Sequence, residues 1–148
     1  MFQSTGGMLR PDGFDPIRRR DEMFKRIDHV EIAPSDLERS IVFYTEVLGF
    51  RMKERVQIGS PVLKQVVYLE LGDTMLEMLD YVDPAPADHT IRVGYRIMAL
   101  EVDSMEETLA FLAEKGIEPT EPPVDVGGGS LRAEIVDPDG LPIELRQW

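Results

Sequence analysis

Apolar and polar positions alternate from Ile27 to Ile32: Ile27, His29 and Glu31 take turns with Asp28, Val30 and Ile32, the period of a strand. The period then changes. Leu37, Ile41, Tyr44 and Leu48 recur at helical spacing, and Ser35-Asp36-Leu37-Glu38 ahead of them has the form of a capping box. Gly49 closes that helix. Strand patterns follow over 50–57, 64–71 and 74–81, with Gly72-Asp73 as a tight hairpin between the last two. The same order returns: a strand over 94–102, a helix over 104–115 capped at Asp103 or Ser104 and closed by Gly116, and an extended piece over 118–126. Strands at 131–136 and 141–146 then flank the turn Asp137-Pro138-Asp139-Gly140. The pattern predicts βαβββ, twice.

The two halves align residue by residue. At an offset of 68, Leu37 meets Met105, Glu38 meets Glu106, Ser40 meets Thr108 and Phe43 meets Phe111. At an offset of 67, Gly49 meets Gly116 and Leu76-Glu77-Met78 meets Ile143-Glu144-Leu145. One position breaks the repeat: the counterpart of His29 is Ile97. Residues 1–24 have no repeat partner and form an extension, with Asp15-Pro16 capping a short helix through Phe24. Residues 25–148 are expected to be a single domain, with module one over 25–82, a Pro-containing linker over 83–91 and module two over 92–148.

Composition narrows the class. A chain of 148 residues with 43% hydrophobic positions can bury a core without staples. A net charge of −12 argues against nucleic acid, which needs clustered Lys and Arg. No apolar run approaches a membrane span, and no apolar core follows Arg18-Arg19-Arg20 as a secretory signal would require. Cysteine is absent, which excludes disulfides, thiolate metal sites and a cysteine nucleophile, and fits a reducing, cytoplasmic setting.

Several stretches resemble the glyoxalase, bleomycin-resistance and extradiol-dioxygenase (vicinal oxygen chelate) superfamily. They are Ile27-Asp28-His29-Val30, Ser35 to Ser40 with Phe43-Tyr44 and Leu48-Gly49-Phe50, Ala99 to Asp103, and above all Asp137-Pro138-Asp139-Gly140-Leu141-Pro142-Ile143-Glu144-Leu145. The resemblance implies an α+β fold in which two paired βαβββ modules form a curved mixed sheet around a cleft. It also implies metal-ligand positions on the first and last strand of each module: His29, Glu77, Ile97 and Glu144 here. Three of these four can bind a metal. One imidazole and two carboxylates suit a divalent ion such as nickel, cobalt, zinc or manganese. Ile97 removes the second histidine of the iron-type arrangement and argues against ring-cleaving dioxygenase chemistry. Glu31, two residues after His29 on the same strand face, is a substitute ligand or general base, and Glu77 or Glu144 is the other candidate for proton transfer. The family implies a small-molecule ligand and a homodimer, with residues 17–24 as a candidate interface.

Each candidate also has a plainer reading. An isolated histidine on an apolar strand is more often a hydrogen-bonded wall residue than a ligand. Glu77 and Glu144 each interrupt an apolar strand, and a buried carboxylate needs a cation; Arg96 and Arg146 are the candidates besides a metal. Met75, Met78, Met98 and Met105 read as core or pocket lining. Gly127-Gly128-Gly129 lacks the helix and Lys of a phosphate loop and reads as a turn closing over the cleft. His89 lies in the linker with nothing in the sequence to place it. Two functions remain: a metal-assisted lyase or isomerase acting on a small carbonyl compound, and a metal-free protein of the bleomycin-resistance type that sequesters a small molecule.

Overall fold

A computed structural model describes residues 23–148. The expected helix beginning at Asp15-Pro16, and the proposed contact through residues 17–22, lie outside the described residues.

The chain builds two four-stranded sheets of matching topology. In the first, β1 (Val30–Ile32) pairs parallel with β4 (Thr74–Tyr81), which pairs antiparallel with β3 (Leu63–Leu71), which pairs with β2 (Arg51–Gln57). In the second, β5 (Met98–Glu101) pairs parallel with β8 (Pro142–Gln147), followed by β7 (Leu131–Val136) and β6 (Glu121–Asp125). The fold is α+β, with two paired modules, as the repeated pattern predicts. The first strand of each module is shorter than its periodicity suggests, so His29 and Ile97 sit just before β1 and β5.

Register fixes the repeat. Glu31 stands beside Glu77 across β1 and β4, and Ala99 stands beside Glu144 across β5 and β8. The offsets read from the sequence are therefore the structural equivalences, and Ile97 occupies the place of His29.

Helix α1 (Leu37–Val42) runs on into a π-helical turn, Phe43–Val47. The true cap is Asp36, whose side chain accepts from the Arg39 N–H at 3.0 Å. Ser35 is not free to cap, because Asp139 of module two holds both its N–H and its hydroxyl. Helix α2 (Met105–Glu114) is capped by Ser104, which accepts from the Glu107 N–H. Gly49 and Gly116 follow the two helices at φ +79 and +76, where a side chain would be strained.

One hydrophobic cluster spans both modules. Leu37, Tyr44, Leu69 and Met78 belong to it from the first, and Met105, Leu112, Ile135 and Leu145 from the second. These apolar strand positions face the helices, and the alternate positions face away, where polar residues of each sheet collect. The DPDG turn ties the modules together. Asp137 is buried and accepts from the Tyr44 hydroxyl at 3.1 Å, while Asp139 also accepts from Arg39 at 3.2 Å. Burial, with Asp137 alongside, pushes the Tyr44 phenol well above its ordinary value, so it is a permanent donor.

Candidate functional site

The inner edge strands β1 and β5 both line a cleft of about 1230 Å³. His29, Glu31 and Ile97 line it together, with Tyr95, Arg96 and Met98 from the approach to β5. A strap between β4 and β5 covers it through residues 84–87 and His89. His89 rests on the DPDG turn: a Cβ on Gly140 would lie 3.1 Å from its ring, a tight contact, and the φ of +78 at that position favours glycine. Both histidines of the chain thus line one cleft: His29 as the family resemblance implies, and His89 at a place that no local pattern indicates. Gly127 to Gly129 connect β6 to β7 and do not line it, contrary to the expected closing loop.

His29, Glu31 and Glu77 form the one group among the described residues able to hold a metal, their donor atoms lying within 4.8 Å of one another. The parallel register produces this: it sets the two carboxylates side by side, and His29 stands two residues before Glu31, on the same face. His29 Nε2 is 3.0 Å from Glu77 and 3.3 Å from Glu31. Its Nδ1 is 3.0 Å from Asp28. Asp28 is the member that the sequence reading passed over, although an acidic residue beside a candidate histidine was the signal for it.

The arrangement has a clear electrostatic consequence. If Nδ1–H donates to Asp28, the Nε2 lone pair points toward two carboxylates, a repulsive contact unless a proton or another cation lies between them. The hydrogen bond to Asp28, then that to Glu31, and the charges of Glu77 and Asp28 raise the imidazole pKa above its ordinary 6.5. The bond from His29 lowers that of Asp28 in turn. Tyr68 stands across from Glu77 on β3, and burial, then the Glu77 charge, raise its phenol pKa, keeping it a donor.

Glu144 lies outside this group, which differs from the expected ligand set by having Glu31 in its place. The reason is physical: β8 belongs to the other sheet, and guanidinium groups occupy the Glu144 oxygens. Arg146 reaches one at 2.7 Å and Arg132 the other at 3.4 Å. Arg146 is the partner the sequence suggested; Arg132 was missed, although its spacing from Glu134 puts both on one strand face. Arg96 pairs instead with buried Glu134, at 3.1 Å. Glu77, with a side chain 11% exposed, has no Lys or Arg within ion-pair distance among the described residues.

A sequence profile described as the Glyoxalase/Bleomycin resistance protein/Dioxygenase superfamily matches residues 26–145. A crystal structure of a glyoxalase family protein from Enterococcus faecalis superposes with a TM-score of 0.72 at 37% identity, over 83% of this chain and 98% of that one. The mitochondrial methylmalonyl-CoA epimerase of Homo sapiens is 29% identical over 82% of this chain and 73% of its own length. A lactoylglutathione lyase of Arabidopsis thaliana is 30% identical over 83% of this chain but only 44% of its own length.

Proposed function

This chain belongs to the Glyoxalase/Bleomycin resistance protein/Dioxygenase superfamily, and from that premise we propose that it is a metal-assisted lyase or isomerase acting on a small carbonyl compound. His29 and Glu77 are the proposed ligands of a divalent ion, with Glu31 as a third donor or as the proton carrier. Glu144, expected among the ligands and proton carriers, is assigned here to charge pairing with Arg132 and Arg146.

One observation carries the reading. Glu77 and Glu144 are repeat-equivalent carboxylates in equally enclosed places, with side chains 11% and 12% exposed. Glu144 is matched by two guanidinium groups, whereas Glu77 has an imidazole set among three carboxylates. That donor set of one nitrogen and two carboxylates fits a divalent ion. Bound there, the ion would polarise a carbonyl oxygen and acidify the neighbouring C–H. With His29 and Glu77 alone on the ion, Glu31 is the carboxylate left to act on that proton, since its side chain is 53% exposed and lines the cleft. It would take the proton from one carbon and return it to an adjacent carbon, or to the same one. Asp28 would hold the imidazole ring in place.

Ile97 favours the other reading, a metal-free protein that sequesters a small molecule, because it gives the cleft an apolar wall with Tyr95 and Met98. Thermal unfolding with nickel, cobalt, zinc or manganese separates the two. At a metal concentration of about 100 times Kd the folded state should gain roughly 2.7 kcal/mol, seen as a higher Tm. His29→Ala should abolish the gain. If no divalent ion shifts Tm, the sequestering reading replaces the catalytic one.

A further inference from the structure

The repeat is reversed in charge at the mouth of the cleft. The offset that sets Ile97 on His29 sets Arg96 on Asp28. Module one therefore presents an acid and an imidazole where module two presents a guanidinium and an apolar side chain. The gain of positive charge continues across the sheet of module two, where an apolar pair gives way to a cationic one. Val66 pairs with Leu79 in module one, and Arg132 pairs with Arg146 at the corresponding places of module two.

Three guanidinium groups, of Arg96, Arg132 and Arg146, share two carboxylates, Glu134 and Glu144. Among the ion-paired groups of the described residues the excess here is one positive charge, in a chain whose net charge is −12. Arg96 is the member that can be spared. Its side chain is 60% exposed, and its ion pair is with Glu134 Oε1, the same oxygen that Arg132 engages. Were Arg96 to leave, Arg132 would still neutralise Glu134, so no buried charge would be stranded. A guanidinium carries five N–H donors in a planar fork suited to a carboxylate, and Arg96 spends one contact on Glu134. It lines the cleft that His29 and Glu31 also line.

We propose that Arg96, backed by Arg132, anchors a carboxylate of the substrate, so that the substrate is a carbonyl compound bearing a carboxylic acid. This rests on the catalytic reading above and narrows it. A carboxylate fits better than a phosphate because the excess of one charge matches a monoanion, and a dianion would be repelled more strongly by Glu31 on the cleft wall.

The test uses pyruvate, its uncharged methyl ester and inorganic phosphate as probes. Binding to the full chain is followed by NMR titration with and without nickel. Pyruvate should bind metal-free wild type roughly tenfold more tightly than methyl pyruvate. Arg96→Gln should remove that preference, and Arg96→Lys should keep part of it by retaining charge without the fork. In both variants the rise of Tm with nickel should persist, because neither touches the ligands. The proposal is overturned if pyruvate does not bind, if it binds no better than its ester, or if Arg96→Gln binds it as wild type does. Tighter binding of phosphate than of pyruvate would overturn the carboxylate assignment. A carboxylate preference that depends on Arg96, without any nickel effect, would sink the metal reading and leave the anchor standing.

Discussion

At the scale of the residue, His29 decides most of the chemistry, and its surroundings set a sign that can be tested. The pKa of the imidazole is raised above 6.5 by hydrogen bonds to Asp28 and Glu31 and by nearby carboxylate charge. The folded chain therefore holds that proton more tightly than the unfolded chain does. The resulting stability is fully present below pH 6.5 and is lost as pH climbs through the raised value. In metal-free protein, the stability advantage of wild type over His29→Gln should shrink across that window, as read by urea denaturation at a series of pH values. An advantage that grew with pH would contradict the assigned network. Metal should follow the opposite course and bind more tightly as pH rises, because the ion and the proton compete for Nε2. Ile97 is the second decisive residue. Ile97→His adds an imidazole to the cleft that His29 lines, and nickel affinity should rise by about an order of magnitude. Equal affinities by calorimetric titration would place Ile97 out of reach of the donors.

Among the elements, the DPDG turn and helix α1 carry the connection between modules. Tyr44 is 1% exposed and donates to buried Asp137, so Tyr44→Phe leaves a carboxylate oxygen without that donor. The variant should lose roughly 1–3 kcal/mol. Chemical denaturation measures it, and an unchanged midpoint would mean that backbone N–H groups of the turn satisfy Asp137 alone. The elements were largely legible beforehand. Helix α1 was readable from Leu37, Ile41 and Tyr44 because a packed helix needs apolar residues at that spacing. The hairpin at Gly72-Asp73 joins β3 to β4 where expected. Local pattern missed one consequence of a distant contact, Ser35 held by Asp139 rather than capping, and it also missed the π turn at the end of the helix.

In the whole molecule, the apolar surface of the strap bears on assembly. Ile91, Val93 and Tyr95 are 98%, 106% and 110% exposed. Three such side chains on one segment suit contact with a second copy. Light scattering at micromolar concentration should give twice the chain mass, and replacing Ile91 and Val93 with Asp should shift the protein toward the monomer. A monomer mass for the wild type would leave the strap without this role.

The sequence by itself determined the two modules, the offsets between them and the asymmetry between His29 and Ile97. These follow from side-chain period and local turn chemistry, which act over a few residues, and from repetition, which the chain displays directly. Only the tertiary structure decided which charges meet. Glu77 and Glu144 are alike in sequence context, yet one faces an imidazole with Asp28 and Glu31, and the other faces Arg132 and Arg146. Arg146 is a strand-mate of Glu144 and was readable from the sequence, whereas Arg132 reaches Glu144, and His29 reaches Glu77, from neighbouring segments. Pairing across strands depends on distances of a few ångströms between such segments, and no pattern along one strand encodes it.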